Sequence, residues 1–370
     1  MYYYKSIDII NIISCFQLAI FIFFLIHMGR KKKSNVILAI FFGVQMFVLL
    51  CQLLTSFFHN NNISTQINHS YHPFEFLWGP LMYFYVKSNI KEGFKFKFFD
   101  IVHLIPFILI SILIISGNYF SKSGTYLPIT SIYLMHLYFN LYNLLYFLIL
   151  FAYNFSALSL LFKYQQNLKN YYSFEVKQNL LWLKFILYGY IIACIVALTA
   201  SYASKFTLVP NEYISNILYA TFLAFFNILF YRAMIQPQAL IQLDDKPKYF
   251  SASLSINDID KYSQMITIAL TTNKRYLNPS LSLQELSEAT GISERNISQV
   301  INKYWKQNFF SFINSFRVEE AKSLLNNFNQ NKTTMLGIAF DSGFNSKSAF
   351  YDAFKKHTGI TPTEYRKLKA

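Results

Sequence analysis

Apolar residues are arranged along this chain in two different ways. Between residues 7 and 235 they come in nearly unbroken runs, whereas beyond residue 258 they recur every three or four positions. Seven runs are long enough to cross a bilayer, which takes about 20 apolar residues in a helix: roughly 7 to 28, 35 to 58, 73 to 90, 99 to 117, 129 to 153, 184 to 204 and 211 to 235. The third is the shortest and contains Pro73, Glu75, Gly79 and Pro80. The segment HNNNISTQINHSYH ahead of it reads as a polar connecting loop. The expected fold class is therefore all-α. A seven-helix transmembrane bundle fills 1–235, a linker with Pro237, Pro247 and the mixed-charge LDDKPK fills 236–257, and a separate helical domain fills 258–370. In that last domain Ile259, Tyr262, Met265, Ile266 and Ala269 follow helical spacing, with Asp258 as the expected cap.

Composition agrees with this division. The chain is 54% hydrophobic, 19% aromatic and 14% charged, too apolar for an ordinary soluble protein of two domains. Residues 1–239 hold 16 Lys/Arg and 6 Asp/Glu, leaving 17 and 12 for the shorter remainder. Basic residues alternate between connecting segments. Arg30 to Lys33, then Lys87, Lys91, Lys95 and Lys97, then Lys163, Lys169, Lys177 and Lys184 give four charges to each of three loops. The intervening loops carry none, Lys122 alone and Lys205 alone. The positive-inside rule then puts the N-terminus outside and the three basic loops in the cytoplasm, and seven crossings bring the C-terminal domain inside.

That domain contains one pattern twice. The first copy is LSLQELSEATGISERNISQVI and the second TTMLGIAFDSGFNSKSAFYDAF. Leu286, Ser287 and Gly291 recur 52 positions later as Ile338, Ala339 and Gly343; Ser293, Ile297 and Ile301 recur 53 positions later as Ser346, Phe350 and Phe354. Ser282 and Glu285 have the spacing of a capping box. Gly291 and Gly343 suit the left-handed turn that ends a helix, and Ser293 and Ser346 suit the cap of the next one. Each copy is a helix-turn-helix, and the segment SFINSFRVEEAKSLLNN joins the two.

From Asp258 to Leu368 the chain resembles the DNA-binding domain of AraC-type (AraC/XylS) transcription regulators, down to the closing stretch GFNSKSAFYDAFKKHTGITPTEYR. The resemblance implies that Arg295, Ser298 and Gln299 of the first recognition helix read bases. It implies the same for Lys347, Ser348 and Tyr351 of the second, while Lys303, Lys306, Lys355 and Lys356 meet phosphates. Arg and Gln can form paired hydrogen bonds to guanine and adenine edges. Three positions depart from the family pattern, among them Gly337, which replaces a better helix former in the second unit. Lys306 occupies a position where the family usually has glycine, and Asp352 lies near the second reading face, so the first unit is expected to dominate base reading.

Glu75 is the candidate signal site of the apolar half, because an ionisable group at membrane depth is costly and often functional. Cys15, Cys51 and Cys194 lie inside apolar runs without a metal or disulfide spacing. No catalytic constellation and no cofactor motif is visible, so the expectation is a membrane-bound regulator rather than an enzyme. Its partners would be double-stranded promoter DNA, the lipid bilayer and an unknown signal ligand or membrane partner, with a homodimer left open. The alternative is a transporter or membrane enzyme with an appended autoregulatory DNA-binding domain.

Overall fold

The computed structural model describes residues 6–29, 32–58, 62–91, 93–122, 132–174, 181–203, 211–235, 254–326 and 334–369. Most of the expected linker, 236–257, lies outside them. The described residues contain helices and no named strand. They form two compact units, Met1–Leu161 with Asn179–Asp245, and Phe162–Gln178 with Lys246–Ala370.

The first unit is a bundle. Helix α1 (Ser6–Gly29) packs along α2 (Lys33–Phe57), which also contacts α3 (Asn62–Glu75) and α4 (Trp78–Ile90). A 3-10 turn, Phe98–Leu104, leads into α5 (Ile105–Lys122), which packs on α3; α6 (Ile132–Leu168), α7 (Leu181–Ala203) and α8 (Asn211–Ile235) follow, with α8 against both α1 and α7. Some polar residues inside the bundle pair with one another, while Asn11 Oδ1, Asn154 Oδ1 and the Tyr190 hydroxyl have no partner among the described residues. Gln17 of α1 and Asn227 of α8 exchange amide hydrogen bonds, and Phe21 and Phe230 stack one turn further on at 3.9 Å. The outer surface is also apolar, with Phe16, Phe23, Phe155 and Ile192 all exposed.

Among the described residues, four helices, Ile7–His27, Lys33–Phe57, Leu141–Leu168 and Trp182–Ala200, are long and apolar enough to cross a membrane. They correspond to the first, second, fifth and sixth expected runs. The fourth and seventh show the apolar stretches Phe98–Leu113 and Tyr219–Ile235 among those residues, so a count of seven spans is not confirmed. The third run is broken in two. Phe76 and Leu77 donate backbone bonds to Pro73 and Phe74 in tight turns, because the chain must restart a helix at Gly79-Pro80. The supposed loop before it is helical from Asn62, where Ile67 and Tyr71 lie one turn apart and pack with Val48 and Cys51 of α2.

The second unit is built on one long helix shared by two cores. It comprises α9 (Ile256–Thr271), a 3-10 turn Arg275–Leu277, α10 (Leu283–Thr290), α11 (Glu294–Tyr304), α12 (Phe309–Asn326), α13 (Met335–Asp341), α14 (Lys347–Thr358) and α15 (Pro362–Lys369). Helix α9 begins before the expected cap. Ser255 is the N-cap: its hydroxyl accepts from the amide of Asp258 and donates to the Asp258 carboxylate at 2.7 Å. Phe309, Phe312 and Ile313 of α12 join Ile297, Val300 and Ile301 in the first core; Val318, Ala321 and Leu325 join Phe350 and Phe354 in the second. Burying such side chains stabilises each half by roughly 1.5 to 3 kcal/mol per residue.

Candidate nucleic-acid interface

The local chemistry of each helix-turn-helix follows the pattern in its sequence. Ser282 and Glu285 close a reciprocal capping box at the start of α10. Gly291 ends that helix at φ 69°, and Ser293 opens α11 by accepting from Asn296. In the second copy Thr334 caps α13, Gly343 turns the chain at φ 86°, and Ser346 caps α14 through the amide of Ala349. Ile297, Val300 and Ile301 are buried on one side of α11, and Phe350, Ala353 and Phe354 on one side of α14. Burial of those faces turns the opposite ones outward.

On α11, Arg295 and Lys303 are exposed and Ser298 and Gln299 half-buried. Asn302 belongs to the same row, seven residues after Arg295. It is exposed, and its amide donates to the Ser298 carbonyl at 2.8 Å. The sequence reading passed over it, although its spacing was enough to place it. On α14, Lys347, Ser348, Lys355 and Lys356 are exposed. Tyr351 is half-buried, its hydroxyl shares a hydrogen bond with Thr363 at 2.8 Å, and Lys347 lies over its ring at 5.5 Å. Ser348 donates to Asp352 at 3.4 Å, and Lys356 reaches back to the Ser311 hydroxyl of α12 at 3.2 Å.

Lys306 follows α11 in the left-handed region at φ 56°. It stands 53 positions before Gly359, which ends α14 at φ 83°. The two turns are the same turn, and one of them is made by a lysine.

Arg317 sits at the changeover between the two cores of α12 and is 1% exposed. Its Nε donates to the Tyr276 carbonyl at 2.7 Å, its Nη2 to the Asn278 carbonyl at 2.8 Å, and its Nη1 to Asn314 Oδ1 at 3.1 Å. Two further bonds go to Ser173, at the carbonyl (2.8 Å) and the hydroxyl (2.9 Å). Its guanidinium also faces the Phe344 ring at 5.9 Å. Burial lowers its pKa to about 10, so it remains a cation at neutral pH. Nothing in the sequence spacing pointed to this residue.

In the other unit, Glu75 is the last residue of α3, with its side chain 16% exposed. The Tyr142 hydroxyl of α6 donates to Glu75 Oε2 at 3.0 Å, and His72 Nδ1 lies 3.6 Å from the same oxygen. Tyr142 stacks on Tyr146, whose ring meets Trp78 edge-on, and the Trp78 indole N–H has no acceptor among the described residues. No group of three or more His, Cys, Asp or Glu arranged to hold a metal occurs among the described residues.

Comparison with known proteins places the C-terminal helices. The family described as a helix-turn-helix domain matches residues 286–368. An uncharacterised HTH-type transcriptional regulator of Staphylococcus aureus strain COL is 32% identical over 120 residues, covering 32% of this chain and 15% of that protein. The melibiose operon regulatory protein of Escherichia coli K12 is 26% identical over 89 residues, covering 24% of this chain and 28% of that one. Each of these likenesses covers a third of this chain or less and a minor part of the relative. Residues 286–368 are an AraC-type helix-turn-helix domain.

Proposed function

We propose that this chain is a membrane-bound, sequence-specific transcription regulator, in which an apolar helical half receives a signal and the tandem helix-turn-helix binds promoter DNA. The observation that carries the reading is the pair of capped helices, α11 and α14, each burying one face on the common helix α12 and presenting the other outward. That arrangement suits insertion into successive major grooves about 34 Å apart. Arg295, Ser298 and Gln299, with Asn302, would read bases from α11. Lys347 and Ser348 would do so from α14, and Tyr351 by its ring, since its hydroxyl is engaged. Lys303, Lys306, Lys355 and Lys356 would meet phosphates, which give affinity without sequence choice.

Four helices of spanning length and an apolar outer surface support a bilayer setting. The basic-loop alternation supports an N-terminus outside and the DNA-binding domain in the cytoplasm. Glu75 would form the signal site, its carboxylate held by Tyr142, which stacks on the Tyr146 ring that Trp78 meets edge-on. The decisive experiment selects duplexes from a random pool with the full chain in lipid discs and footprints the winners. Protection in two adjacent major grooves on one DNA face is expected, and failure to enrich any sequence would sink the proposal. Reporter fusions after Ile241 test the orientation: a cytoplasmic reporter should be active there and a periplasmic one silent.

A further inference from the structure

The second unit contains a piece of chain that does not follow from the helix-turn-helix pattern. Phe162–Gln178 takes in the last turns of the apolar helix α6 and part of the stretch leading toward α7, yet it groups with the C-terminal unit. Within it, residues 169–174 run antiparallel to the start of α10, pairing Tyr172 with Ser282. The amide of Leu283 donates to the Tyr171 carbonyl at 2.8 Å, and the amide of Ser173 donates to the Leu281 carbonyl at 3.2 Å. A third bond runs from the amide of Phe310 to the Lys169 carbonyl at 3.0 Å, and Lys169 Nζ lies over the Phe310 ring at 5.8 Å. Ser173 itself is 1% exposed, anchored by Arg317.

The identity of the donors matters. Leu283 is the first residue of α10, and Phe310 is the second of α12, whose N-cap Asn308 accepts from Ser311. Amides in the first turn of a helix have no partner inside that helix and carry the positive end of its dipole, so they are the groups that receive DNA phosphates. These two helices flank the first recognition helix α11 in sequence. Tyr172 also lies close enough for Glu294, the first residue of α11, to disfavour its ionisation alongside burial. One segment therefore occupies amides at the N-terminal ends of both helices.

Release of the segment would not orphan the buried cation. Arg317 retains the Tyr276 and Asn278 carbonyls and Asn314 Oδ1 after Ser173 has left. The docked segment is thus removable in a way that the cores are not.

We infer that residues 169–174 are an intramolecular competitor of the DNA backbone, holding the amides of Leu283 and Phe310 that phosphates would otherwise take. Docked, the segment weakens DNA binding; its release frees the first recognition unit. Because it connects α6 to α7, a displacement of either helix acts on the DNA-binding surface through the chain itself. The inference rests on the DNA-binding reading above.

The test uses the full chain in lipid discs and a mixed-sequence duplex at low salt, since phosphate contacts do not depend on sequence. Tyr172→Cys combined with Ser282→Cys places two thiols across an antiparallel bridge, where facing residues are within disulfide reach. Oxidation should weaken duplex binding at least about tenfold, the effect of withholding two hydrogen-bond donors, and reductant should restore it. Equal or tighter binding by the oxidised protein overturns the competition. Single Tyr172→Cys and Ser282→Cys proteins control for the lost cap. Hydrogen exchange of the unaltered protein gives a second reading that needs no variant. Adding duplex should speed exchange of the Ser173 amide while the Leu283 and Phe310 amides stay protected. A Ser173 amide equally protected in the DNA-bound protein overturns the inference. A reduced protein that binds no duplex at all overturns the DNA-binding reading and this inference together.

Discussion

Arg317 and Ser173 are 144 positions apart, yet the guanidinium of one makes two hydrogen bonds to the other, at 2.8 and 2.9 Å. The remaining N–H groups of Arg317 go to Tyr276, Asn278 and Asn314. A planar fork is needed to reach acceptors on several sides, and a lysine ammonium cannot span them. Arg317→Lys keeps the charge but leaves buried carbonyls unpaired, which should cost about 2 to 4 kcal/mol. Urea unfolding followed at Trp305, with Trp78 and Trp182 replaced by Phe, would measure it. A loss below about 1 kcal/mol would show that the fork is dispensable.

Gly291 and Gly343 occupy equivalent turns, but only one is crowded. Both have positive φ, 69° and 86°. A Cβ on Gly291 would meet nothing within 4 Å, whereas one on Gly343 would lie 2.7 Å from both Leu277 Cα and the Tyr276 carbonyl oxygen. Gly291→Ala should cost only the left-handed penalty, about 1 to 2 kcal/mol. Gly343→Ala adds a backbone clash and should cost about 3 kcal/mol or more. Matched denaturation curves decide the point, and equal losses would contradict the crowding.

Lys306 makes the left-handed turn that Gly359 makes in the other copy. Lys306→Gly should stabilise the domain by about 1 kcal/mol by removing the steric penalty, less what glycine gives back in chain entropy. The same change removes one exposed positive charge. If Lys306 meets a phosphate, the slope of log affinity against log salt should fall by about 0.9. A more stable protein with an unchanged salt slope would separate the two roles.

How much of this was legible in the sequence depends on the range over which each contact acts. Capping and turning are local, so Ser282, Ser293, Ser346, Gly291 and Gly343 could be placed from spacing alone. The unusual lysine at 306 was visible against the family pattern before its φ was known. Arg317 was not, because a charged residue within an amphipathic helix reads as surface until its distant acceptors are known. The bridge between Tyr172 and Ser282 was equally hidden, since it consists of backbone groups and depends on no residue type. In the apolar half, hydropathy marked where helices lie but not how they divide. Pro73, Gly79 and Pro80 split one apparent run into α3 and α4, and periodicity within a uniformly apolar stretch carries no signal of such a break.

The His357 imidazole of α14 is held below its ordinary value of 6.5 by burial, with Lys356 and Lys322 adding to the effect and Glu319 opposing it. The fold thus disfavours the protonated form, and the unfolded chain takes up the proton first. Stability from this group is therefore level above about pH 6.5 and declines as the pH falls through 6.5 toward the lower folded value. Urea midpoints at about pH 7.5 and about pH 5.5 should drop further for the natural protein than for His357→Gln. Equal drops would show that other groups account for the acid sensitivity.

Reading and holding should separate between Arg295 and Lys355. Arg295 is exposed near the start of α11, on the face opposite Ile297 and Ile301, and can donate two parallel hydrogen bonds to one guanine. Lys355 is exposed in the last turn of α14, where a flexible point charge suits the backbone better than a base edge. Arg295→Ala should cost roughly 1 to 3 kcal/mol on a selected site and much less on scrambled DNA, relaxing preference at one base pair. Lys355→Ala should weaken both duplexes alike and reduce the salt slope by about one. Affinities for selected and scrambled duplexes at several salt concentrations distinguish the two. Should Arg295→Ala weaken both duplexes equally, Arg295 is a phosphate contact and base reading by α11 falls to Ser298, Gln299 and Asn302.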